Sequence, residues 1–173
     1  MSLKISNRKI ALLGILGAQA LALLFMENLI PPLPGLPPGA KPGFSNIVTM
    51  YTAATMGLGE ALYITAIKAI FAGLTRGATA FFMSFSGGLL STFVMFGLMR
   101  LKKQPFGIAG IAVAAAIAHN LGQLLAATAI TGTLSVLGYA PLLLFFAVIT
   151  GLVTGTVLKI VMPALEKQRR FLT

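Results

Sequence analysis

Cysteine and aspartate are both missing from this chain, and negative charge is nearly missing with them: the acidic residues are Glu27, Glu60 and Glu166 alone. Without a thiol there is no disulfide, no iron–sulfur ligation and no thiolate chemistry. Without aspartate there is no aspartate-rich motif for Mg²⁺, an ion that needs hard oxygen ligands. His119 is the one histidine, and with no cysteine or aspartate beside it the donors are too few for a metal site. No metal and no cofactor are expected. Charged residues of either sign make up only 9% of the 173 residues, against 57% hydrophobic, and the mean hydropathy is +0.95. A water-soluble domain covers its outside with more charge than that. Several apolar runs approach or exceed the ~20 residues that cross a bilayer as a helix. The ~10-residue polar–apolar alternation of a membrane β-barrel does not appear. The composition therefore predicts an all-α, polytopic membrane protein, a single integral membrane domain over residues 1–173.

Basic Lys4, Arg8 and Lys9 precede a first span over Ile10–Ile30, which lacks a convincing signal-peptide cleavage site and so is expected to stay. Pro31–Gly43, PPLPGLPPGAKPG, cannot be helical, because proline lacks the amide donor and glycine is too permissive. It reads as a stiff extramembrane loop able to lie over the membrane face as a lid. The region Phe44–Thr75 is either one long tilted helix or two short ones broken at GLGEA, Gly57–Ala61. Further spans are predicted over Gly77–Met99, Gly107–Thr131 and Tyr139–Met162.

Charge placement decides the ambiguous region. With a break there are six spans, and ten of the thirteen Lys and Arg fall on the side of both termini and the RLKK loop, 100–103. Lys41 and Arg76 then lie opposite and Lys68 within a span. Five spans would divide the basic clusters between the two faces, against the tendency of positive charge to stay inside. Six spans with cytoplasmic termini are therefore expected. The net charge of +10 accordingly reads as topology signals and contacts to anionic headgroups, with no nucleic-acid partner.

Three groups of residues stand out. Gly14, Ala18 and Ala22 recur every fourth residue and form a small-residue stripe, suited either to packing inside the bundle or to docking a separate subunit. His119 and Gln123 share one face of the fifth span, with Asn120 about 100° around. Such groups at membrane depth need partners: either interhelical bonds to Ser84, Ser86 or Asn46, or a ligand. Lys68 lies mid-span, eight residues from Glu60 and eight from Arg76. If Glu60 does not reach it, an anionic ligand is the natural counter-charge, with Lys41 and Arg76 adding to a positive outer funnel. SFSGG, Ser84–Gly88, lacks the spacing of a phosphate-binding loop, so no nucleotide site follows. TRGAT, Thr75–Thr79, echoes a covalent-flavin motif but lacks the acidic residue common in such motifs.

The runs GAKPGFSNIVTMYTAATMGLGEALYITAIKAIFAGLTRG, SFSGGLLS and GIAVAAAIAHNLGQ resemble the bacterial membrane proteins labelled heptaprenyl diphosphate synthase component I. These are also called Gx transporters and are grouped with S components of energy-coupling factor (ECF) transporters. The likeness covers nearly the whole chain. Its distinctive pieces are the Gly39/Lys41/Gly43/Asn46 cluster, Glu60 with Lys68, a Ser86–Gly87–Gly88 turn, and His119–Asn120 with Gln123. The resemblance implies a six-helix subunit of the bacterial cell membrane that captures a small, vitamin-like or precursor molecule at the outer face, gated by the first loop. It also implies docking through small residues of the first helix, commonly an Ala-x-x-x-Ala pattern that Ala18–Gln19–Ala20–Leu21–Ala22 fits, to a transmembrane T subunit coupled to two ATPases.

The synthase label meets a chemical objection. All-trans prenyl synthases hold diphosphate through Mg²⁺ on aspartate-rich motifs, which this chain cannot supply. It is expected not to be an enzyme. The leading expectation is a substrate-binding S component with Lys41, Asn46, Lys68, Arg76, His119, Asn120 and Gln123 at the ligand. Alternatives are an accessory of isoprenoid-quinone synthesis or flavin-linked electron transfer, and a structural subunit whose polar groups only lock helices.

Overall fold

The computed structural model describes residues 7–29, 43–101 and 106–172, with side chains to residue 163. Six α-helices follow in order: α1 Asn7–Leu29, α2 Ser45–Thr55, α3 Leu58–Arg76, α4 Ala78–Met99, α5 Gly107–Thr131 and α6 Ala140–Leu172. A 3₁₀ turn, Leu134–Tyr139, leads into α6, and no strand occurs among the described residues. The chain is a multi-pass, all-α membrane protein. The Pro31–Gly43 loop falls outside the described residues up to position 42, and Lys41 with it.

The break expected at GLGEA is present. Gly57 joins α2 to α3 at φ 125°, ψ −177°, a region that only glycine occupies without strain. It divides the segment unequally. Five helices are long and apolar enough to cross a membrane, but α2 has 11 residues. At 1.5 Å per residue it rises about 16 Å, roughly half the hydrocarbon thickness. Lys9 near the start of α1 pairs with Glu60 near the start of α3, and the Ser45 N–H at the start of α2 donates to Glu27 near the end of α1. The short helix therefore returns the chain from the far end of α1 to its near end, and the parity of six crossings holds.

A helix that cannot reach both membrane surfaces is kept from lipid here by its neighbours. Eight of the 11 residues of α2 are buried, and it packs against α1, α3, α4 and α6. Met50 and Tyr51 are 1% and 2% exposed and join Leu16, Ala20, Ile64 and Leu158 in the apolar core. Ser45, Thr49 and Thr52 are buried alongside them.

The Ser86–Gly87–Gly88 turn expected from the sequence is not a turn. All three residues lie inside the continuous helix α4. The glycines act by having no side chain. A Cβ on Gly122 of α5 would stand 2.7 Å from the Ser86 carbonyl oxygen and 2.8 Å from the Gly87 Cα. One on Gly88 would stand 2.6 Å from the Thr65 side chain of α3. The small residues let α4 approach α5 at backbone distance and take the Thr65 side chain of α3 against Gly88, and the Ser86 hydroxyl donates across the α4–α5 crossing to the Gly122 carbonyl at 2.8 Å.

Helix α1 buries Leu16, Gly17, Ala20, Leu24 and Glu27. Gly14, Ala18 and Ala22 are exposed on its outer side. Among the described residues, no other helix covers the stripe.

Candidate functional site

Lys68 places a cation in the interior. Mid-way along α3 it is 7% exposed, and a buried ammonium is tolerated only with hydrogen bonds and counter-charge. Its Nζ donates to Asn46 Oδ1 at 2.7 Å and to Thr49 Oγ1 at 3.2 Å, both on α2. The counter-charge comes from α1. Glu27 is 2% exposed, accepts the Ser45 N–H at 2.7 Å, and acts electrostatically on both Lys68 and Arg76. Glu60 is committed elsewhere, to Lys9 at the opposite end of the helices. Arg76 is the last residue of α3 and is exposed at the rim.

Helix α5 supplies the opposite wall. The His119 Nδ1 is buried without a hydrogen-bond partner, and a Cβ at Gly87 would come within 3.2 Å of its ring. The Asn120 Nδ2 donates to the Leu143 carbonyl of α6 at 2.9 Å. Of the interhelical partners expected for these residues, Ser86 binds the α5 backbone and Asn46 takes Lys68. Asn120 does tie two helices together, through a backbone acceptor that the sequence could not name. The His119 ring meets the Gly87 backbone of α4, but its Nδ1 has no hydrogen-bond partner.

These groups surround one cavity. Asn46, Lys68, Arg76, His119, Asn120 and Gln123 all line it, as do Glu27, Ser45, Ser84, Thr150 and Thr154. All six helices contribute a wall. About 60 Å³ is open to the centre of a water-sized sphere, room for about four waters or a small polar group. Two cations and one carboxylate line it among the described residues, which leaves the wall with a positive surplus.

Six of the seven residues singled out as ligand-binding thus come together, and the seventh, Lys41, lies outside the described residues. Sequence reasoning missed Glu27, Ser45 and the threonines of α6. For Glu27 a signal existed: a carboxylate in the last turn of an apolar span, which at such depth marks a paired or functional group. The threonines carried none, since threonine is common in membrane helices.

Residues 16–161 match the family described as heptaprenyl diphosphate synthase component I. Comparison with curated proteins and with solved structures gave no match.

Proposed function

The chain belongs to the heptaprenyl diphosphate synthase component I family, and from that premise we propose that it is a non-catalytic membrane subunit that captures a small anionic molecule. The observation that carries this reading is the unequal charge of the cavity wall, where among the described residues Lys68 and Arg76 stand against Glu27. An anion entering from the rim completes the balance without ordering new groups, because Lys68 is already held by Asn46 and Thr49. The unpartnered His119 nitrogen and the Gln123 amide supply neutral hydrogen bonds deeper in. Both termini are cytoplasmic, the host is a bacterial inner membrane, and Arg76 stands at the outer mouth.

In this reading the chain works as an S component of an ECF-type transporter. Gly14, Ala18 and Ala22, exposed on α1, form the face that meets the T subunit, whose ATPases drive the cycle. Binding of inorganic diphosphate and of small carboxylates to the purified protein tests the cavity. Lys68→Met should weaken binding roughly 10- to 100-fold, the worth of a hydrogen bond to a charged group. Unchanged affinity in that variant would sink the proposal. Docking is tested separately: Ala18→Trp with Ala22→Trp should abolish recovery of a T subunit complex while leaving ligand binding intact.

The family's description favours a second reading, in which the chain assists prenyl diphosphate synthesis as an accessory subunit. The same anion-binding cavity would then hold a diphosphate for a separate catalytic subunit. Co-purification separates the two: a soluble synthase subunit supports the second reading, a T subunit with ATPases the first.

A further inference from the structure

The polar cavity is too small for a whole ligand of metabolite size. About 60 Å³ accommodates a phosphate- or carboxylate-sized group and little else. A larger hollow lies against it, with about 240 Å³ open to a water-sized sphere, between α4, α5, the 3₁₀ turn and the start of α6. Its walls are nearly all apolar, among them Met83, Leu124, Ala127, Val136 and Leu143.

The two spaces share a partition. Gln123 lines both of them. Asn120 lines the polar space and donates at 2.9 Å to the carbonyl of Leu143, which lines the apolar one. On α4, Ser84 lines the polar space and its neighbour Met83 the apolar one. The surroundings change from charged to hydrocarbon-like within one residue of α4 and across one side chain of α5.

We propose that the two hollows are compartments of one site and that the ligand is an amphiphile. Its anionic head lies between Lys68 and Arg76, and its hydrocarbon tail lies over Ala127 and Leu143. The Gln123 amide meets the atoms that link them. This rests on the anion-binding reading above. A dry cavity of about 150 Å³ takes a benzene ring, so 240 Å³ takes a tail of roughly ten carbons. A wholly polar ligand would leave the apolar walls without contacts, and a bare hydrocarbon would leave the cations without a counter-charge.

The test uses the full chain in nanodiscs of phosphatidylcholine, a zwitterionic lipid with no net charge. Inorganic phosphate, butyl phosphate and octyl phosphate are the probes, and octanol is the headless control. Affinity should rise along the series by roughly two- to fourfold per methylene, and octanol should not displace octyl phosphate. Ala127→Phe fills the apolar compartment. It should flatten the series, so that octyl phosphate binds no tighter than butyl phosphate, whereas Lys68→Met should weaken every phosphate alike. Equal affinities along the series, or a rise that survives Ala127→Phe, would overturn the two-compartment site and leave anion capture standing. Displacement by octanol at equal concentration would also overturn it, making the hollow a lipid groove. Absence of saturable binding by any phosphate would instead overturn the anion-binding reading beneath it.

Discussion

A lysine placed mid-membrane keeps its charge only while its surroundings replace the water it has lost. For Lys68 that replacement comes from two different sources, the neutral oxygens of Asn46 and Thr49 and the carboxylate of Glu27. The division matters because the carboxylate also competes with any incoming anion. Glu27→Gln retains an oxygen that can accept the Ser45 N–H while removing the charge. That variant should bind small anions roughly tenfold more tightly, the scale of one screened charge interaction, and should be less stable without a ligand, because Lys68 then keeps only the neutral oxygens of Asn46 and Thr49. Titration of the purified variant against inorganic diphosphate checks it. Lys68, His119, Asn120 and Gln123 were visible in the sequence because each interrupts an apolar run. Glu27 was not seen as their companion: it is 41 residues from Lys68 in the chain, and only packing of α1 beside α3 joins them.

Among the elements, the α4–α5 crossing fixes the cavity wall that carries His119 and Gln123. The contact is backbone against backbone at Gly87 and Gly122, so a side chain there cannot be accommodated by a rotamer change. Gly122→Ala should cost about 1–3 kcal/mol and lower the thermal midpoint in detergent, with loss of ligand binding as the helices part. Gly14→Ala, where a Cβ meets nothing within 4 Å, should be neutral or slightly stabilising, since alanine is the better helix former. Differential scanning fluorimetry on both variants makes the comparison. Helix ends were legible because glycine and proline punctuate this sequence, as at Gly57, Gly77, Gly107 and Gly132. The Gly87–Gly88 pair carries the same residue type with the opposite meaning. In a membrane helix, glycine marks a close crossing as readily as a turn, and sequence alone does not say which. The apolar hollow beside Gln123 was likewise invisible, because it is a gap between elements and no single segment encodes it.

For the whole molecule, the parity of crossings puts the α4–α5 link and the α5–α6 link on opposite faces. The absence of native cysteine makes this directly measurable. In intact bacterial cells, Thr133→Cys should react with a membrane-impermeant maleimide, whereas Leu101→Cys should react only after permeabilisation. The reverse pattern would invert the orientation and move Arg76 away from the outer mouth. Charge asymmetry along the chain was enough to predict six crossings, but it could not reveal that one of them is made by a helix of half length. That inequality bears on how the protein is made. A segment with 11 helical residues and buried Ser45, Thr49 and Thr52 has too little apolarity of its own to partition from the insertion machinery into lipid. It becomes favourable only inside the shell formed by α1, α3, α4 and α6. Helix α2, which carries both oxygens that hold Lys68, therefore depends for its place on helices that follow it in the chain, α6 among them, and the polar cavity is complete only when they have packed around it.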